Sequence, residues 1–177
     1  FEELRNLPKN VEVIFGDALE ILEERLIFNK IVASLPSSVV EPLMNRLYKF
    51  DFATASFLIP LKFVEKLLND QIFSIYFQTE MVDKVAKDSF APQPKTNWAI
   101  IKIIKVDDPL SDRDYGKFIR RYLFEHKAAK TKNSLMEAII MIFKSKRKAL
   151  TKNQARELVA KANFSKKLLE NPSKEKD

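Results

Sequence analysis

The 177-residue chain has no cysteine, a single histidine and only two glycines, Gly16 and Gly116. Without thiols there are no disulfides and no thiolate metal sites, and His126 alone cannot assemble a histidine-based zinc centre. No metal site is expected. Neither glycine opens a phosphate-cradling loop. No apolar run reaches the roughly 18 residues needed to cross a bilayer; residues 57–64 are short and are interrupted by Pro60 and Lys62. No membrane partner is expected. The first residues show no secretory-signal pattern, and the chain opens on Phe1 rather than Met. It is therefore expected to be the remainder of a longer polypeptide, and the missing cysteines suit a cytoplasmic setting.

What is present supports a packed core. Hydrophobic residues make up 46% of the chain, with 14 Phe among them, which is too apolar for a disordered chain. The length suits one domain, or a domain with a small appendage. Charge is unevenly spread. Residues 113–177 carry 18 Lys and Arg against 7 Asp and Glu, a net of +11, so the rest of a chain of net +7 carries −4. Such asymmetry fits either a polyanion partner, nucleic acid first, or a solvated lysine-rich helical surface.

Along the chain, residues 1–7 read as a helix end stopped by Pro8. Residues 11–15 (VEVIF) alternate and are β-branched, predicting a strand, with Gly16-Asp17 as its turn and a helix over 18–25. A second strand runs from Phe28 through 30–33 and is broken by Ser34-Leu35-Pro36-Ser37-Ser38. Residues 39–48 have helical spacing, with Val40, Leu43, Met44 and Leu47 on one face. Residues 52–59 are nearly all apolar, as for a strand buried on both faces. A helix over 61–69 follows, then strands over 72–78 and 98–106 separated by 80–95. This order predicts an α/β fold whose parallel sheet is finished by an antiparallel pair. Residues 107–114 (DDPLSDRD) read as a linker. Helices are predicted over 115–125, 134–146, 152–161 and 163–170, with 171–177 as a frayed tail. The division is thus 1–106, a linker over 107–114, and a basic helical unit over 115–177.

Three stretches stand in a fixed order: 11–19 (VEVIFGDAL), 28–37 (FNKIVASLPS) and 89–103 (SFAPQPKTNWAIIKI). With a later aromatic–basic region at 124–127, they match a strand plus G-D-A-L, a strand plus N-[LI]-P-[YF], and F-x-P-x-P-K. On these motifs the chain resembles the ribosomal RNA adenine dimethyltransferase family, from Asn10 to about Ile139. The resemblance implies a Rossmann-like methyltransferase sheet, mostly parallel with a C-terminal antiparallel pair, followed by a small all-α domain. It also implies S-adenosylmethionine as cofactor, methyl transfer to adenine amines, and small-subunit ribosomal RNA or a pre-ribosomal particle as partner, with the protein acting as a monomer.

By the same resemblance, Gly16, Asp17, Ala18 and Ser34 would bind the cofactor, Asp17 through the cofactor's adenine. Asp17 also suits the N-cap of the following helix. The catalytic tetrapeptide falls on Ser34, Leu35, Pro36 and Ser37. In the family its Asn and first peptide carbonyl accept the adenine amine's hydrogens, and its aromatic residue stacks on the base. Here Ser34 has a shorter acceptor and Ser37 offers no ring; losing a stacking platform costs roughly 1–3 kcal/mol of base binding. Phe90 matches the aromatic on the other side of the base, although a core position at a strand entry would equally use Phe. The family's glycine-rich cofactor loop, its ribose-gripping acid and the first two strands of its sheet have no counterpart. In the family those strands lie between the strands matched here by 11–15 and 28–33. Their absence would leave unpaired backbone.

The basic residues Arg113, Lys117, Arg120, Arg121, Lys127, Lys130 and Lys132 follow the linker, and Lys144, Lys146, Arg147 and Lys148 form a second cluster. With Lys95, the set expected to meet RNA phosphates is Arg120, Arg121, Lys127, Lys130, Lys144, Lys146, Arg147 and Lys148. Phe118, Leu123, Phe124, Leu135, Met136, Ile139, Ile140 and Phe143 are read as core. Three functions remain open: an S-adenosylmethionine-dependent RNA methyltransferase, a catalytically inactive RNA-binding relative serving ribosome assembly or transcription, and shared ancestry alone.

Overall fold

A computed structural model describes residues 7–24 and 28–170. The predicted helix end over 1–7 and the tail over 171–177 lie almost wholly outside them. Four strands form one mixed sheet: β1 (Lys30–Ser34), β2 (Thr54–Pro60), β3 (Phe77–Val85) and β4 (Trp98–Lys105), in the order β1-β2-β4-β3. β1 and β2 are parallel; β4 is antiparallel to both β2 and β3.

Register explains where the core sits. Ala33, Phe57 and Ile101 stand in one cross-strand row, and Ile31, Ala55 and Ile103 in the next. Successive strand residues point to opposite faces, so these rows share a face. Phe57, Ala55, Ile101 and Ile103 are fully buried there. Helices α2 (Ser37–Arg46) and α3 (Leu61–Leu68) cover it, contributing Val40, Leu43, Met44, Val64 and Leu67 to the same cluster. Burying each large side chain contributes roughly 1.5–3 kcal/mol. The opposite face carries Val32, Ser56 and Lys102 in register, and Val32 is 83% exposed. β2 is therefore fully buried on one face and half-buried on the other, instead of buried on both, because no described helix covers the second face.

Two other expectations change. Residues 11–15 form no strand, and Phe15 is 70% exposed. A strand needs a neighbour to satisfy its backbone, and among the described residues β1 has a strand beside it only on the β2 side. Residues 73–76 form a one-turn helix, α4 (Phe73–Tyr76), in place of the predicted strand over 72–78. Asp70 causes this: its carboxylate accepts from the N–H groups of Ile72 (2.8 Å) and Phe73 (2.9 Å), capping the turn. The strand then runs through 77–85, taking in residues 80–85, which read as part of a connector because they form a polar, bulged edge strand.

Helix α1 (Ala18–Glu24) packs Leu19 and Leu22 on the main core, and an Arg46–Glu23 ion pair at 3.0 Å ties it to the end of α2. After 107–114 come α5 (Tyr115–Glu125), α6 (Thr131–Ser145), α7 (Lys152–Lys161) and α8 (Lys166–Glu170). Leu135, Met136, Ala155 and Val159 form a second core cluster between them, and Phe118, Ala138 and Ile142 a third. α8 starts three residues later than predicted because Asn163, at φ 54°, closes α7. No helix among the described residues is long and apolar enough to cross a membrane.

Candidate functional site

The loops carrying the motif residues gather at one end of the sheet. β1 ends at Ser34, opposite Leu58, and the Leu35 N–H donates to the Leu58 carbonyl at 3.1 Å. β2 ends at Pro60, opposite Trp98, and the Leu61 N–H donates to the Asn97 carbonyl at 2.9 Å. Phe90 reaches the same end, its ring centre 5.5 Å from that of Trp98. It is half-buried against Trp98. Ser34, Pro36 and Ser37 are exposed, whereas the Leu35 side chain turns into the core. Pro36 is the N-cap residue of α2, so the tetrapeptide bends directly into a helix and exposes that helix's first N–H groups.

Asp17 caps α1: its Oδ1 accepts from the Leu19 N–H at 2.7 Å. Its second carboxylate oxygen stays open to solvent. Gly16, at φ 155°, holds a conformation that other residues rarely adopt, and an added Cβ would meet Ile21 Cδ1 at 3.0 Å. Ala18 is exposed in the first turn of α1. These residues do not enclose a cofactor the size of S-adenosylmethionine by themselves. Asp17 is exposed, 11–15 lie open, and the edge of β1 beside Ser34 has no strand partner among the described residues.

The basic residues do not form one surface. Tyr115, at the start of α5, meets Lys146, at the end of α6, and Tyr122 near the end of α5 donates to Glu137 at 3.0 Å. The two helices are thus antiparallel, and α6 spans about 22 Å at 1.5 Å per residue. Lys127 and Lys130 stand at one end; Lys144, Lys146, Arg147 and Lys148 stand at the other. Lys95 is exposed in the turn before β4, and Arg120 is exposed on α5. His126 is exposed, with its ring stacked 4.0 Å from that of Tyr122.

Arg121 faces inward, over the Tyr76 ring, and pairs with Glu125 at 3.0 Å. Tyr76 is buried, and its hydroxyl donates to Glu125 at 3.2 Å. Burial first, and then the Glu125 charge, push its pKa up from the ordinary 10.0. Tyr48, in the turn after α2, Tyr76 of α4 and Phe124 of α5 meet tilted or edge-on and line a cavity of about 580 Å³. Sequence reasoning missed this aromatic junction, since its rings come from three separate elements.

The end of α6 closes in a Schellman turn. The Lys148 N–H donates to the Phe143 carbonyl (2.9 Å) and the Arg147 N–H to that of Lys144 (2.9 Å). Arg147 holds φ 57°, a position usually given to glycine. Arg113 does the same at φ 61°.

Sheet, covering helices and basic helical extension define a mixed α/β chain of Rossmann-like fold. A family profile described as Ribosomal RNA adenine dimethylase matches residues 2–171, and the chain belongs to that family. Among similar curated proteins, a "Probable ribosomal RNA small subunit methyltransferase A" of Methanococcus aeolicus is 30% identical, covering 78% of this chain and 56% of its own length. One of the same description from Thermococcus kodakarensis is 28% identical over 84% of this chain and 54% of its own. The chain thus spans about half the length of the curated relatives it matches. In fold it is similar to a dimethyladenosine transferase from Plasmodium falciparum: TM-score 0.54, 19% identity, covering 93% of this chain and 67% of that one.

Proposed function

We propose that the chain is part of an S-adenosylmethionine-dependent ribosomal RNA adenine dimethyltransferase. In this reading residues 1–106 belong to the catalytic unit and 115–177 to an RNA-binding helical unit, joined by 107–114. The observation that carries it is the gathering of the 34–37 turn and the Phe90–Trp98 pair at the same end of the sheet. In open α/β sheets ligands collect beyond the carboxyl ends of strands. The protein is a cytoplasmic monomer that meets small-subunit ribosomal RNA.

Within the complete protein, the bound cofactor supplies an activated methyl group. Asp17, through its free carboxylate oxygen, accepts a hydrogen bond from an adenine amine of the ligand, while Gly16 and Ala18 let the chain approach closely. Ser34 Oγ and the Leu35 carbonyl accept hydrogens of the target adenine amine, whose lone pair is otherwise delocalised into the ring. Pro36 holds the turn, Ser37 lies beside the base, and Phe90 offers its ring to stack, braced from behind by Trp98. The open edge and uncovered face of β1 are where further strands and a covering layer would pack.

A second reading, an inactive RNA-binding relative, is favoured by one feature: the tetrapeptide has Ser at both Ser34 and Ser37. Calorimetry with S-adenosylmethionine on the full-length gene product, followed by methyl transfer to small-subunit particles, separates the two. Binding with transfer supports the enzyme; no binding ends that reading. If the tetrapeptide is the lesion, Ser34→Asn with Ser37→Tyr raises transfer at least tenfold.

A further inference from the structure

Where the 107–114 connector meets the helices lies a cleft of about 780 Å³, lined by Asp108, Ser111, Arg113, Tyr115, Ser145 and Lys146 among others. From these residues we infer that the cleft holds a ribose–phosphate segment of an RNA chain. The phosphate would sit on Arg113 and Lys146, and the ribose 2′-hydroxyl would donate to the oxygens opposite. This rests on the RNA-binding reading above and narrows it to one place and one chemical contact.

The cations are available. Among the described residues, neither Arg113 nor Lys146 has an ion-pair partner. The acids beside them are partly occupied. Asp108 accepts from the Leu110 N–H at 3.0 Å, and Asp114 accepts from the Lys117 N–H at 3.0 Å as the cap of α5. Each keeps an oxygen for a hydroxyl donor. The two serines are also left as acceptors, because each has spent its own hydrogen. Ser111 Oγ donates to the Asp108 carbonyl (2.6 Å) and Ser145 Oγ to the Ile142 carbonyl (2.8 Å).

A site that pairs free cations with hydrogen-bond acceptors wants a ligand that is anionic and also offers hydroxyl hydrogens. RNA backbone meets both needs; DNA lacks the 2′-hydroxyl. A free nucleotide fits less well. Among the described residues the aromatic face lining the cleft is Tyr115, which is covered by Lys146 Nζ at 4.0 Å and leaves no platform for a base. The walls are held in shape by their own turns: Asp114 N–H donates to the Pro109 carbonyl at 2.9 Å, and Pro109 is fully buried. Arg113 and Arg147 both occupy left-handed backbone where a glycine would be at ease. Strain of this kind clusters at functional positions.

The test compares an RNA hairpin with a DNA hairpin of the same sequence, by fluorescence anisotropy across a potassium chloride series. The cleft pair is Arg113→Gly with Lys146→Gln, in which glycine accepts the left-handed backbone while the whole arginine side chain is removed. The control pair, Lys152→Gln with Lys161→Gln on α7, makes the same change in net charge. The cleft pair should weaken RNA binding about tenfold at 0.1 M salt and flatten the log–log salt slope by about 1.5, with the native fold retained by circular dichroism. The control pair should cost less than threefold. Asp108→Asn should narrow the preference for RNA over DNA. A cleft pair that behaves like the control pair overturns the cleft while leaving RNA binding intact. A wild-type chain that binds neither hairpin overturns both, and an unaltered RNA preference in Asp108→Asn overturns the hydroxyl contact.

Discussion

Arg121 Cζ stands 4.9 Å over the centre of the Tyr76 ring, so the basic helical part of the chain is fastened by a cation–π contact to α4, the turn that leads into β3. Glu125 completes the fastening by accepting from both Arg121 Nε (3.0 Å) and the Tyr76 hydroxyl (3.2 Å). An arginine that sequence alone assigns to RNA is thereby engaged in holding α5 to α4. Arg121→Ala should lower stability by about 1 kcal/mol in urea unfolding. Its effect on the salt slope of RNA binding should be smaller than that of Lys146→Gln.

The same contact sets an alkaline limit. Tyr76 has its pKa raised above the ordinary 10.0, so the native state keeps a proton that the unfolded chain releases. This contribution is complete below pH 10 and is lost as pH climbs towards the raised value. Unfolding free energy should fall with a slope of up to about 1.4 kcal/mol per pH unit above pH 10 from this group. Tyr122, raised by burial and by its bond to Glu137, adds to the fall. Tyr76→Phe should lose about 1–2 kcal/mol at pH 7 from the missing hydrogen bond to a charged partner, yet decline less steeply above pH 10. Parallel slopes in the two proteins would refute the assignment.

Arg147 offers a separation of strain from charge. Arg147→Gly should stabilise the chain by about 1 kcal/mol by relieving the left-handed backbone. Thermal melting should rise by about 2–4 °C. A lower melting point would mean that the guanidinium makes a contact worth more than the strain.

The capping box of α7 can be tested alone. Thr151 Oγ1 accepts from the Gln154 N–H at 3.3 Å, and Gln154 Oε1 accepts from the Thr151 N–H at 2.9 Å. Thr151→Ala should cost about 1 kcal/mol, and Thr151→Ser much less, in thermal or urea unfolding.

Val32 reports on the bare face of the sheet. In the 177-residue chain, Val32→Asp should shift stability by less than about 0.5 kcal/mol, as for an exposed site. If further layers cover that face in the full-length protein, the same change there should cost 2 kcal/mol or more, on the order expected for a buried, unpaired polar group. Equal effects in both would mean that the face stays open.

Much of this architecture is written locally. Val40, Leu43, Met44 and Leu47 recur at helical spacing and are buried as that spacing implies. The helices over Tyr115–Glu125 and Lys152–Lys161 have the bounds their patterns suggest, each opened by its own cap, Asp114 and Thr151. Other features depend on partners distant in sequence. Val11, Val13 and Phe15 alternate as a strand would, but no described strand lies beside them to receive their backbone. Ile72, Phe73 and Ile75 look like strand residues until the Asp70 carboxylate takes two of their segment's N–H groups. Of the site, the positions of Ser34 and Phe90 were legible from motif order. Arg113 was legible only as a charge, and its left-handed backbone is announced by nothing in the local sequence.

The Phe90–Trp98 contact also has a practical side. Trp98 is the chain's sole indole, so indole-selective intrinsic fluorescence comes from that corner alone. Quenching or a spectral shift on adding RNA or cofactor would therefore read events beside the phenyl ring without a dye. Silence there, with anisotropy changing elsewhere, would locate the encounter on the far helices.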